Sequence, residues 1–182
     1  MEADLAALPP LMLTYLRCSG VVGRLHVRNT HVRFSAQMRS SATSPWMTST
    51  ANEYAFFDPP GRLFAIQASR DGIPFDVLHE YIDSAATFRV RIAGIFPMVN
   101  LSGPVMTNNE TVTVMNDNLA FAPAAVLDLP FTFVPTGEHT VRATFRNVGF
   151  TVSATLTFDA AGDLVGFRSS DRSHGREGGP AD

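Results

Sequence analysis

The sequence predicts an α+β, mostly β protein: a curved antiparallel half-barrel of about nine strands. A short N-terminal helix precedes it, and one helical insertion covers its concave face. Three observations predict this. From Arg24 to Ser170 most of the chain alternates apolar and polar residues with period two, the spacing that sends side chains to opposite faces of a strand. Turn-forming runs such as Asp58-Pro59-Pro60-Gly61 and Asp71-Gly72 punctuate it. Between Asn108 and Leu127 the period becomes helical, with Val112, Met115 and Leu119 three and four residues apart.

The elements follow in order. Leu8-Pro9-Pro10, then Leu11, Leu13, Tyr15 and Leu16, reads as a short helix entered at proline and ended by Gly20. Leu25–Met38 alternates with a slip near Asn29-Thr30, the mark of a bulged strand. Pro45–Phe57, Arg62–Ser69, Pro74–Ile82 and Ala86–Ile95 complete a meander. In the last of these, Arg89 and Arg91 face one way and Phe88, Val90 and Ile92 the other, so one side is wet and one buried.

Thr107-x-x-Glu110 predicts a capping box for a helix over Asn108–Ala120. The β-branched run Thr111–Val114 opposes that helix, because such side chains lose rotamer freedom there. The apolar spacing favours it. Pro123 opens a further short turn, Ala124–Leu127. Four strands close the chain: Phe131–Val134, His139–Arg146, Phe150–Phe158 and Leu164–Ser169. Val152, Ala154, Leu156 and Phe158 should face in, and Thr151, Ser153, Thr155 and Thr157 out. Residues 1–172 are expected as a single β-rich domain, and 173–182, rich in Arg, Gly and Glu, as a disordered tail.

Composition narrows the function. The 182 residues suffice for a core without staples. Fourteen Phe stand against one Trp and three Tyr, and Phe carries no polar group to satisfy, which suits a core or a greasy cavity. The 14 basic residues, all Arg, face 17 acidic ones and interleave with apolar residues, so the footprint of nucleic-acid binding is missing. The acidic start Met1-Glu2-Ala3-Asp4 predicts no secretory signal, and no apolar run reaches the roughly 18 residues of a membrane span. A soluble, cytoplasmic protein is expected. Cys18, the single cysteine, excludes an internal disulfide and a multi-cysteine metal site, and is expected as a small buried hydrophobe. His26, His31, His79, His139 and His174 lack metal-ligand spacing. There is no Gly-x-Ser-x-Gly elbow and no Gly-rich phosphate loop. No metal and no cofactor is predicted.

Several short motifs, in order, carry a resemblance: Leu8-Pro9, Tyr15-Leu16, Gly20, Trp46, Glu53-Tyr54, Asp58-Pro59-Pro60, His79-x-Tyr81, Gly94-Ile95-Phe96-Pro97, Phe121-Ala122-Pro123-Ala124 and Asp171-Arg172. Across residues 5–172 the chain resembles an uncharacterised bacterial family of unknown function, DUF6544. The resemblance implies no established activity. Members of this kind continue past the Asp-Arg pair with further strands, which implies an open edge on the last strand here and a route to a homodimer. The order of meander, helix and meander is also similar to periplasmic lipoprotein carriers, whose incomplete barrel wraps a hydrophobic cavity closed by a helix.

The candidate site is a cavity between sheet and helix. Trp46, Phe56, Phe64, Phe75, Phe96, Met115 and Phe121 would line it, with Met47, Phe57, Met98 and Met106 in the same wider set. Glu53, His79, Glu110 and Asp117 would orient the head group of a lipid or other hydrophobic small molecule. The plain alternative is that the apolar set fills a dry core, with Glu110 capping and Asp117 on a solvated helix face. A second alternative is an enzyme, a hydrolase or isomerase, with His79 and Glu110 or Asp117 as acid and base. A third is a structural or interaction module. Asp171-Arg172 is expected as an ion pair locking the last strand.

Overall fold

The computed structural model describes residues 5–39, 41–147 and 149–173. The acidic Met1–Asp4 start and, of the 173–182 tail expected as disordered, the residues from His174 onward lie outside them, while Ser173 is described and donates its amide to Asn109 at 2.9 Å. Two antiparallel sheets carry the fold, one of six strands and one of four, each with its strands in plain sequence order and neither closed into a barrel. The chain divides into two compact units, Asn29–Thr107, and Met1–Arg28 with Asn108–Asp182.

The Asn29–Thr107 unit is the six-stranded meander: β1 (Asn29–Met38), β2 (Met47–Phe57), β3 (Pro60–Arg70), β4 (Ile73–Ile82), β5 (Ala85–Ile92) and β6 (Phe96–Ser102). Three of its hairpins turn on two residues that both have positive φ: Asp71-Gly72, Asp83-Ser84 and Ala93-Gly94. That conformation matches the right-handed twist of the flanking strands. Register sets the faces. Val32, Glu53, Phe64, His79, Phe88 and Leu101 lie side by side, one per strand. The next row on that face is Phe34, Ala51, Ile66, Val77, Val90 and Val99. The intervening row, Arg33, Asn52, Ala65, Leu78, Arg89 and Asn100, belongs to the opposite, polar face. There Glu80 accepts from Arg89 and, at 3.0 Å, from Thr87, and His31 stacks on Tyr54 at 4.2 Å.

Two expectations change here. The strands among the described residues number ten, not nine: β6 occupies a stretch that Gly94 and Pro97 make read as loop. Pro97 is tolerated because β6 is an edge strand and the register shifts opposite it, between Val90 and Arg91. The first strand begins at Asn29 rather than Leu25, so the apparent bulge at Asn29-Thr30 is the strand's start.

The other unit holds α1 (Pro10–Cys18), most of α2 (Pro104–Phe121), a 3₁₀ turn (Pro123–Leu127), and the sheet of β7 (Phe131–Gly137), β8 (Thr140–Asn147), β9 (Phe150–Phe158) and β10 (Leu164–Arg168). Helix α1 enters at Pro10 and stops as expected. Gly20, at φ 69°, donates to the Arg17 carbonyl at 3.0 Å and Val21 reaches the Leu16 carbonyl at 3.4 Å, a Schellman ending that only a left-handed residue permits. Val141, Ala143, Phe145, Val152, Ala154, Leu156 and Phe158 are buried and the alternating threonines point away, as expected. Burying each large side chain contributes about 1.5–3 kcal/mol. The Tyr15 ring tilts against Phe158 at 5.7 Å, and its hydroxyl donates to the Leu119 carbonyl.

Helix α2 buries Val112, Met115 and Leu119, but its start differs from the expected one. It begins at Pro104, and the Thr107 amide already bonds the Gly103 carbonyl at 2.9 Å. Thr107 is therefore inside the helix, not its cap. Its hydroxyl donates to the Gly103 carbonyl at 2.9 Å and accepts from the Ala86 amide at 3.1 Å. Proline at the first helical position overrides the capping box. Glu110 and Asp117 are both buried, so neither the capping role nor the solvated face holds. The helix is enclosed on most sides, its polar residues included. Asp171 and Arg172 also work separately. Asp171 accepts from the Ser153 amide at 2.6 Å, Arg172 donates to Thr113, and Asn108 donates to the Asp171 carbonyl at 2.6 Å. Cys18 is exposed rather than buried, its thiol 3.3 Å from the Ala161 carbonyl, because it falls on the helix's last turn, off the Met12–Tyr15–Leu16 stripe.

Candidate functional site

Burial along the apolar face of the six-stranded sheet falls from one end to the other. Near the Asp83-Ser84 turn, Phe57, Tyr81 and Ala86 are buried. At the opposite end, bounded by the 39–46 connection and the turns at 71–72 and 93–94, Ile73 is 55 % exposed and Phe96 65 %. A hollow of about 620 Å³ opens there, walled by Met38, Met47, Phe75, Phe88, Ile92 and Met98. Local causes are visible in the chain. Met38 and Met47 face each other across the last register pair of β1 and β2, and Phe75 faces Ile92. Met98 falls where the β5–β6 register shifts, and a bulge of this kind bends a strand and turns a side chain out of line.

Among the described residues, the charged groups that line this hollow all lie at the sheet's 39–46 and 71–72 end. Arg39 lies over the Trp46 ring at 4.5 Å and donates to the Ala42 carbonyl at 2.8 Å. Arg70 and Asp71 also line it, with Arg70 Nε 3.8 Å from the Asp71 carboxylate.

A second polar feature sits deeper on the same face. Glu53 accepts from Arg62 at 3.2 Å, both nearly fully buried at 3 % and 4 % exposure. The Arg62 guanidinium lies 4.7 Å over the Phe64 ring. His79 stands between Phe64, at 5.9 Å, and Phe88, at 4.5 Å. Phe88 thus links the ion pair's surroundings to the hollow. Charges at such depth carry a desolvation cost that only good pairing offsets.

The structure brings together four of the expected site residues, Glu53, Phe64, His79 and Phe75, on one face. Phe96 stands at the hollow's exposed edge, opposite Ile92. Trp46 is exposed beneath Arg39. Phe56 belongs to the polar face, paired with Gly61. Glu110, Met115 and Asp117 are buried on α2 in the other unit, and Phe121 is exposed at that helix's end. Met38, Phe88, Ile92, Arg39 and Arg70 escaped the sequence reading as site residues. The signal was present, because extending the alternation of Phe75 through the hairpin partners of β4 reaches Phe88 and Ile92. The two arginines sit beside strand ends. Among the described residues no three His, Cys, Asp or Glu side chains are placed to hold a metal ion. Among the described residues no helix is long and apolar enough to cross a membrane.

The family model of unknown function DUF6544 matches residues 1–182, and the chain belongs to that family. No curated protein and no solved structure matches it significantly.

Proposed function

Because membership of this family assigns no chemistry, we propose from geometry that the protein is a non-enzymatic binding module. Its six-stranded sheet curls as a half-barrel about its apolar face and holds a lipid or other hydrophobic small molecule in the hollow there. The observation that carries this reading is the hollow itself, about 620 Å³ with a wall of Met, Phe, Ile and Val. Small-molecule sites commonly enclose about 300–1,000 Å³. Methionine suits the task because its unbranched thioether repacks around irregular guests. Each Å² of apolar surface withdrawn from water contributes about 25 cal/mol, so a chain-like guest needs few polar contacts. Ile73 and Met98 at the mouth stay exposed, which favours a container over a dry core.

The test uses purified protein in two ways. Organic extraction and mass spectrometry should release an apolar molecule near one per chain. Nile red should bind to the stripped protein with enhanced emission, and Ile73→Arg should weaken that binding about tenfold while leaving the urea midpoint unchanged, since surface changes alter stability by only about 0.5 kcal/mol. No extracted molecule together with no Nile red response would end this reading.

A further inference from the structure

We infer that the guest is an anionic single-chain amphiphile, whose acidic head group is met by Arg39 and Arg70 while its chain lies against the Met and Phe wall. The inference rests on the reading of the hollow as a binding site and names the ligand's class. The argument is one of charge placement. Among the described residues that line the hollow, only Arg39, Arg70 and Asp71 are charged, two guanidinium groups against one carboxylate, so the polar margin they form is net positive. All three belong to one end of the sheet: Arg39 follows β1, and Arg70 pairs with Ile73 across the Asp71-Gly72 turn. An amphiphile lying in the hollow has one place for its head, and that place is cationic.

Each arginine is equipped for the role. Arg39 is held in place by the Trp46 face and the Ala42 carbonyl. A guanidinium has five N–H donors, so this anchoring leaves a fork of donors that fits a carboxylate or phosphate. Arg70 meets Asp71 through a single 3.8 Å approach on open surface, the arginine side chain being 59 % and the aspartate 89 % exposed. Pairs of that kind are worth little, and an incoming anion exchanges with Asp71 at small cost. A cationic head would be repelled, and a neutral head would leave the margin's charge unanswered.

Stripped protein and the variants Arg39→Ala, Arg70→Ala and the double variant are compared in displacement of Nile red by dodecanoate, dodecanol and dodecylammonium. The three ligands share a chain and differ only in head group. Wild type is expected to prefer dodecanoate over dodecanol by about fivefold to tenfold, as exposed charge pairs allow, with dodecylammonium weakest. That preference should shrink as salt screens the margin. Each single variant should lose part of it, and the double variant should bind acid and alcohol within about twofold of each other. Equal affinity of wild type for acid and alcohol, or a preference that survives the double variant, would overturn the inference while leaving the hollow's role intact. Failure of all three ligands to displace the dye would instead remove the binding reading and this inference with it.

Discussion

Both sheets are simple antiparallel meanders, yet their inward faces end differently. In the four-stranded sheet, Val141, Ala143, Phe145, Val152, Ala154, Leu156 and Phe158 are all buried. In the six-stranded sheet, the matching central strands leave Phe75, Phe88, Val90 and Ile92 half-buried, and place Glu53 and Arg62 among the buried residues. Residue types do not explain the contrast, because both faces are built from Phe, Val and small residues. Cover and polar content explain it. One face is buried throughout, while the other carries a buried ion pair and a hollow. Apolar alternation marks a face that avoids water, and says nothing of whether protein or a guest completes it.

Substitutions can break or sharpen that contrast. The largest effect is expected from Phe145→Ala in the closed sheet, a loss of about 3–5 kcal/mol in urea unfolding, from transfer plus a cavity that packed neighbours cannot fill. Phe88→Ala in the open sheet should cost less than half as much, because its ring already borders space, and should weaken Nile red binding, which Phe145→Ala cannot do directly. Equal costs at the two positions would show the sheets to be equally packed. Next comes Glu53→Ala, which takes the carboxylate away from the buried Arg62 guanidinium and should cost about 3–5 kcal/mol. The Glu53→Ala, Arg62→Ala double variant should be less damaging than the sum of the singles, and strict additivity would deny the coupling.

How much was legible follows the same division. Strands with clean alternation, such as Phe150–Phe158, were readable to the residue, because period two translates directly into faces. β6 was not. Its Pro97 and the Ala93-Gly94 turn imitate a loop, and only the edge position and register shift make a strand possible there. The capping box at Thr107 failed because two start signals competed and Gly103-Pro104 lay upstream. Cys18 misled because apolar neighbours in sequence are not neighbours on a helix face. Of the site, the central row with Glu53, Phe64 and His79 was reachable by pattern. The hollow was not, since it arises from which side chains fail to meet, a property of three dimensions. Arg39 and Arg70 gave no sequence signal beyond lying beside strand ends.

A smaller effect is expected at Tyr15, which closes the other unit's core. Burial raises its pKa above the ordinary tyrosine value, with the charge of Asp163 adding to the rise and a hydrogen bond with Ser19 opposing it. The folded protein therefore holds its proton more tightly than the unfolded chain. Stability from this source is complete below the unfolded value of about 10 and is lost as pH climbs from there through the folded pKa. Tyr15→Phe should cost about 1 kcal/mol at neutral pH through the lost bond to the Leu119 carbonyl. It should also flatten the alkaline fall of the urea midpoint. An unchanged alkaline slope in that variant would assign the titration elsewhere.

The smallest expected effect on stability discriminates most sharply between the two regions. Met98 is 62 % exposed on β6 and Val165 is 61 % exposed on β10, so solvent treats the two alike. Only Met98 lines the hollow. Met98→Gln and Val165→Gln should each shift the urea midpoint by no more than about 0.5 kcal/mol equivalent. Nile red affinity should fall about threefold for Met98→Gln, the order of one lost methylene-sized apolar contact, and stay unchanged for Val165→Gln. Equal responses would mean that exposed apolar side chains on the two sheets are interchangeable, and that the six-stranded sheet's open end is ordinary surface. Unequal binding at equal stability is what a container requires, because its wall is kept for a guest and contributes little to holding the empty protein together.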